Sequence, residues 1–131
     1  MGFYQYILVG IGGAFGAISR VAVSRMLPAM LLLQIPASIL IVNVIGGLLI
    51  GVANGLLLNF DRKIIDDLKF LWISGFLGGF TTFSAFTLET AQLLAKEKYW
   101  ASLVYVVLSV LLSLIFFCVG TKLCQLGQRQ C

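Results

Sequence analysis

The chain has 131 residues, 60% of them hydrophobic and 11% charged, with a formal net charge of +4. A soluble domain carries roughly a quarter charged residues. With a mean hydropathy of +1.06, most of this surface must meet lipid and not water. Histidine is absent, which removes the usual general base, metal ligand and proton switch near neutral pH. No nucleophile–base pair or cofactor motif stands out, so the sequence does not read as an enzyme, and the modest positive charge needs no nucleic acid to explain it.

In lipid every backbone N–H and C=O must be paired inside the protein, which leaves helices or a closed barrel. Barrel strands alternate apolar and polar residues over about ten positions. The apolar segments here are continuous over lengths near 20, about what a helix needs to cross a bilayer. The expectation is an all-α membrane protein, a single domain of four transmembrane helices over residues 1–131.

The first span is expected over about residues 3–27. It is glycine-rich in the middle (Gly10, Gly12, Gly13, Gly16) and ends with Arg20 and Arg25. Without a basic n-region or a small-residue cleavage site, it reads as a membrane helix and not a signal peptide. Pro28 and Pro36 bracket a short connection to the second span, about 36–58, which contains Asn43. The stretch that follows, with Asp61, Arg62, Lys63, Asp66 and Asp67, is the most polar part of the chain and is placed in water. The third span covers about 68–95 and is closed by Lys96-Glu97-Lys98, with Tyr99-Trp100 as an interface anchor. The fourth covers about 101–126. Cys118, Cys124 and Cys131 match neither a disulfide framework nor a zinc site, and the first two read as small hydrophobes.

With four spans, Arg20, Arg25, Lys96 and Lys98 fall on one side and Arg62, Lys63, Lys69, Lys122 and Arg129 on the other. The positive-inside rule needs a bias that this near tie does not supply, so insertion in both orientations is one reading; settlement by a single charge or the N-terminal amine is the other. Two opposed copies would form an inverted repeat, a common transport architecture. The spacings Gly12-xxx-Gly16, Gly47-xxx-Gly51 and Gly51-xxx-Gly55 favour close helix packing.

Polar groups inside spans are functional candidates, because lipid offers them nothing to bond. In the third span, Gly75-Phe76-Leu77-Gly78-Gly79-Phe80-Thr81-Thr82-Phe83-Ser84-Ala85-Phe86 favours a helix interruption whose hydroxyls cap a restarted half-helix. Such a break frees carbonyls and N–H groups for ions; a continuous glycine-rich helix is the alternative. Asn43 in the second span is a site candidate or a helix–helix hydrogen bond. Tyr105, Ser109 and Ser113 recur every four residues on one face of the fourth span, with Ser102 nearby. They either line a path or bond back to their own helix. Glu89 offers a proton or cation site, a buried acceptor for hydroxyls or an interfacial pairing group, and Arg20 snorkels or sits at a pore mouth. Hydroxyls, an amide and the positive ring edges of Phe83 and Phe86 suit a dehydrated small anion held weakly enough to leave; taken singly, either ring reads as lipid-facing or as core packing.

The segment from Gly75 to Glu89 (GFLGGFTTFSAFTLE) resembles the signature of the Fluc (CrcB) fluoride channel family. Asn43-Val-Ile-Gly-Gly, Gly16-xxx-Arg20 and the Tyr105/Ser109/Ser113 stripe fit the same family, and the match covers essentially the whole chain. The resemblance implies a passive fluoride channel of the inner (plasma) membrane, built as an antiparallel dual-topology homodimer with two pores and a broken third helix. By position it implies Asn43, Phe83, Phe86, Tyr105, Ser109 and Ser113 in the pore, with Thr82 and Ser84 beside them. It puts Glu89 next to the pore, Arg20 near a vestibule, and a structural sodium ion on the backbone carbonyls of Gly78 and Thr81. Phe80 stands where the family often has a smaller aliphatic residue, and Ser38-Ile39-Leu40 where it often has Gly-Thr-Leu. A proton-coupled small multidrug exporter also has four spans and dual topology. Those proteins centre on a glutamate in the first helix, and this chain has none there.

Overall fold

The computed structural model describes residues 2–27, 31–32, 35–57 and 66–128. Pro28, the polar stretch 59–65 with Asp61, Arg62 and Lys63, and the tail with Arg129 and Cys131 lie outside the described residues. Four segments are long and apolar enough to cross a membrane: Phe3–Met26, Ala37–Leu56, Asp66–Ala95 and Tyr99–Gly127. We number the helices α1 (Phe3–Met26), α2 (Ala37–Leu57), α3 (π-helical Lys69–Leu77 running into α-helical Gly78–Phe80), α4 (Phe83–Ala95) and α5 (Tyr99–Gln128). Between α1 and α2, β1 (Leu31–Leu32) and β2 (Ile35–Pro36) form an antiparallel pair, Leu31 opposite Pro36 and Leu32 opposite Ile35.

Two helix pairs form the body: α1 lies along α3, and α2 along α5. Each seam runs through the glycine spacings of the sequence. A Cβ on Gly12 would collide with the Leu71 carbonyl, and one on Gly16 with that of Phe76. In the other pair, a Cβ on Gly47 would stand 2.6 Å from the Ser113 carbonyl oxygen, and one on Gly51 would strike the Phe117 carbonyl. Lipid tails are as apolar as leucine, so helices in a bilayer associate through close van der Waals contact, which small residues permit. The Thr121 hydroxyl adds a polar link, sharing its proton between the carbonyls of Gly51 on α2 and Phe117 on α5, both at 3.1 Å.

The sequence reading expected ordinary helix at the start of the third span, whereas nine residues there are π-helical. Such a wide coil is rare and tends to mark functional segments. Here it packs on α1 so closely that a Cβ on Gly75 would lie 3.1 Å from the Gly12 Cα. Phe80 fits without crowding. It is 5% exposed and stacks on Phe76 with centroids 6.1 Å apart and planes 7° from parallel, while Phe76 meets Trp72 edge-on at 5.6 Å.

After Phe80 the backbone is extended for two residues, Thr81 (φ −77°, ψ 154°) and Thr82 (φ −149°, ψ 119°). α4 begins at Phe83 with the Thr82 hydroxyl as its N-cap, accepting from the Ala85 N–H at 3.2 Å. α4 turns into α5 through Glu97, whose φ is 58°. A small core of Ile35, Leu93 and Tyr105, flanked by Leu40, Phe86 and Leu108, ties α4 to α5 and to the start of α2. Phe3, Phe15, Trp100 and Leu111 are among the large apolar side chains that face outward, as a lipid-facing surface requires.

Candidate functional site

The extended step upsets the backbone pairing around it. A continuous α-helix would give the N–H groups of Thr82, Phe83, Ser84 and Ala85 to the carbonyls of Gly78, Gly79, Phe80 and Thr81. Here the Thr82 N–H donates to Asn43 Oδ1 at 2.9 Å, and the Ala85 N–H goes to the Thr82 hydroxyl. The Gly79 carbonyl accepts from Arg20 Nε at 3.3 Å. Asn43 also donates from Nδ2 to the Thr82 carbonyl at 3.2 Å. Thr81 turns back, its N–H and its hydroxyl both donating to the Leu77 carbonyl at 2.9 Å.

A cavity of about 390 Å³ opens beside the step, between α2, α4 and α5. Asn43, Gly47 and Ile50 line it from α2; Thr81, Thr82, Phe83 and Phe86 from the third span; Ser109, Val110, Ser113 and Leu114 from α5. Asn43, Thr82, Phe83, Phe86, Ser109 and Ser113, named from the sequence, thus meet around one space. Ser109 is buried, and its Oγ has no hydrogen-bond partner among the described residues.

The other named residues, Arg20, Gly78, Ser84, Glu89 and Tyr105, are not in its lining. Tyr105 is fully buried behind the Phe86 ring, centroids 5.3 Å apart, and its hydroxyl donates to Glu89 Oε2 at 2.5 Å. Phe86 meets Phe83 at 5.5 Å on its other side. Phe83 itself is 78% exposed. The Ser84 hydroxyl shares a hydrogen bond with that of Thr82 at 3.1 Å, and Ser84 is exposed. Gly78 is exposed too; a Cβ there would meet only the Ile73 carbonyl, at 3.6 Å. The sequence reading did not name Gly47 and Ile50 as lining. Their signal was the spacing from Asn43, four and seven residues on, which keeps them on its helix face.

Chemically, the lining supplies hydroxyls, an amide and two aromatic rings, and no charged side chain. Neutral donors hold a small anion without trapping it, as conduction requires.

Residues 7–121 match the family model described as CrcB-like protein, Camphor Resistance (CrcB). The "Fluoride-specific ion channel FluC" of Francisella tularensis subsp. tularensis (strain FSC 198) is 42% identical over 117 residues, 87% of this chain and 89% of that protein. The protein of the same name from Francisella philomiragia subsp. philomiragia matches with the same identity and coverage, 42%, 87% and 89%. The "Fluoride-specific ion channel FluC 2" of Bacillus thuringiensis subsp. konkukian is 34% identical over 119 residues, 91% of this chain and 96% of that protein. With a family match over most of its length and relatives covered nearly end to end, this multi-pass membrane chain belongs to the CrcB family.

Proposed function

We infer that the chain is a fluoride channel, not an enzyme, and that it lets fluoride leave the cytoplasm passively through the inner (plasma) membrane. The observation that carries this is the cavity of about 390 Å³ where Asn43, Thr82, Phe83, Phe86, Ser109 and Ser113 converge without a charged side chain. The names of the relatives point to the same ion. A fluoride ion entering the cavity gives up water for the Ser109 and Ser113 hydroxyls, the remaining Asn43 N–H and the ring edges of Phe83 and Phe86. Ser109 has an unspent donor, and a buried polar group left unbonded costs about 1–3 kcal/mol, which the passing ion relieves. Tyr105 and Glu89 stand behind the Phe86 ring as a supporting pair.

The conducting unit is an antiparallel homodimer with dual topology and two pores, each completed by the partner. Two observations support this: Phe83, which lines the cavity, is exposed, and the Lys and Arg count by side is nearly even. The extended step at Thr81–Thr82 serves as the helix break. Its carbonyls at Gly78 and Thr81 fit a sodium ion, because their helical donors, the N–H groups of Thr82 and Ala85, are spent on Asn43 and on the Thr82 hydroxyl. Those two carbonyls would hold the ion, which would supply fixed positive charge against their dipoles.

Fluoride efflux from liposomes holding the purified protein, followed with a fluoride electrode, tests the reading. Fluoride is expected to leave rapidly while chloride stays, with the rate falling when sodium is withdrawn during preparation. Equal passage of both halides, or none, would overturn it. Uptake of an organic cation driven by a pH gradient would point instead to the small-exporter class.

A further inference from the structure

Three backbone groups at the extended step are paired by side chains from other helices. Asn43 of α2 takes both the N–H and the C=O of Thr82, and Arg20 of α1 takes the Gly79 carbonyl. We propose that Asn43 and Arg20 are positioning residues that fix the extended step, and that Asn43 acts on ion passage through the Thr82 peptide more than as a ligand of the ion. The proposal rests on reading the cavity as the fluoride path.

The amide of Asn43 has one acceptor oxygen and two N–H donors. Its oxygen faces a backbone N–H at 2.9 Å and its nitrogen faces a backbone carbonyl at 3.2 Å. The two partners therefore fix which end is which; a flipped amide would set donor against donor and acceptor against acceptor. In this orientation Asn43 does for Thr82 what a neighbouring strand does for a residue in a sheet. One N–H remains for the cavity. Turning the amide to give more to an ion would strip the Thr82 N–H of its acceptor, a costly loss where lipid offers no replacement.

The consequence reaches the aromatic rings. Thr82 is the N-cap of α4, and Phe83 and Phe86 are on the first turn of that helix. Holding the Thr82 peptide therefore aims both rings. Arg20 holds the other end of the step, three residues earlier, at the last turn of α3. An arginine is suited to the task, because its guanidinium stays charged and donates in a fixed plane. Together the two side chains replace helical bonds that the extended residues cannot make.

A thermodynamic cycle in reconstituted full-length protein tests this. The Thr82 N–H is replaced by an ester oxygen, Asn43→Ala is made, and the two are combined. Each single change is expected to slow fluoride efflux by about tenfold or more, and the pair to be no slower than the worse single by more than about twofold, as for groups that act together. Multiplying effects would mean that Asn43 meets the ion directly, and would overturn the proposal. Asn43→Ser gives a second readout, and replaces Ala in the cycle if Asn43→Ala does not fold. Serine keeps a donor for the cavity but cannot bridge both Thr82 groups, so efflux is expected to fall with it too; full efflux would overturn the proposal. Amide hydrogen exchange over residues 78–86 is expected to speed up by about tenfold in Asn43→Ser and in Arg20→Gln, reporting the lost pairing. Unchanged exchange would refute the clamp. Exchange does not depend on conduction, so a protein that passes no fluoride but shows the exchange change would sink the channel reading and leave the clamp standing.

Discussion

Two cavities of the same volume, about 390 Å³ each, lie against α2. One, between α2 and α3, is lined by Leu49, Val52, Ala53, Leu56, Leu68, Trp72, Phe76 and Leu77. The other, farther toward the start of α2, has Asn43, Thr81, Thr82, Ser109 and Ser113 in its lining. Size does not tell them apart, and both walls are mostly apolar; what differs is that hydroxyl and carboxamide side chains stand among the lining of the second and not of the first. In a chain whose solvent is lipid, an apolar hollow is what packing leaves and hydrocarbon fills, whereas a polar one must be fed by hydrogen bonds or by an ion. The sequence sets up the contrast: α2 carries Asn43 and Gly47 in its first half and only apolar lining residues in its second.

The largest effect is expected at the mouth of the polar cavity. Phe83→Ile is expected to cut fluoride efflux by about a hundredfold, a loss on the scale of removing an interaction made only by the moving ion. Its ring is 78% exposed in the single chain, so the helical fold of each chain is expected to hold, read as an unchanged circular-dichroism spectrum in detergent. Phe86→Ile is expected to lose both efflux and about 1–3 kcal/mol of stability, because that ring is wedged between Phe83 and Tyr105. Normal efflux in both variants would erase the distinction between the two cavities.

Behind the polar cavity, Tyr105→Phe removes the donor to Glu89 without touching the lining. A cost of about 1–3 kcal/mol in unfolding free energy is expected, the usual penalty for stranding one buried partner. Efflux is expected to fall less than in Phe83→Ile. A larger flux loss than that of Phe83→Ile would move the ion's path toward Glu89.

How much of this was readable in the residues follows from the range of each interaction. The spans rest on local composition, and the glycine seams on a four-residue spacing, so both stand in the sequence; Gly12, Gly16, Gly47 and Gly51 make the close contacts that their spacing suggests. The Ser109/Ser113 stripe is legible for the same reason. The bonds from Asn43 to Thr82 cross 39 residues, and that from Arg20 to Gly79 crosses 59. No pattern within one helix encodes such pairings. The π-helical turns of α3 were also hidden, because nothing in the composition of residues 69–77 tells a π-helix from an α-helix. The sequence suggested that Glu89 was either a site or an acceptor; only the fold brings the Tyr105 hydroxyl to it.

In the apolar cavity, Leu49→Ala sharpens the contrast from the other side. Leu49 is 39% exposed, so its truncation enlarges a hollow already open at its rim. A stability loss at the low end of the range for such truncations, about 2 kcal/mol or less, is expected. Efflux is expected to stay within about twofold of the parent, since no hydrogen-bonding group that the ion would meet is changed. A marked loss of fluoride flux here would show that the apolar cavity belongs to the path.

The smallest effect is expected away from both cavities, at the turn from α4 to α5. Glu97 holds φ at 58°, left-handed backbone that costs a residue with a Cβ about 1–2 kcal/mol. It does so because the turn closes α4 by a paired motif: the Lys98 N–H donates to the Leu93 carbonyl at 3.0 Å, and the Glu97 N–H to that of Leu94 at 2.9 Å. Glycine is the usual residue at that position. Glu97→Gly relieves the strain but gives the unfolded chain more freedom, so the net gain is expected to be about 0.5–1 kcal/mol. It is read as a small rise in the thermal midpoint with fluoride efflux unchanged. A fall in the midpoint would mean that the Glu97 carboxylate makes a stabilising interaction at the membrane surface that outweighs its backbone strain.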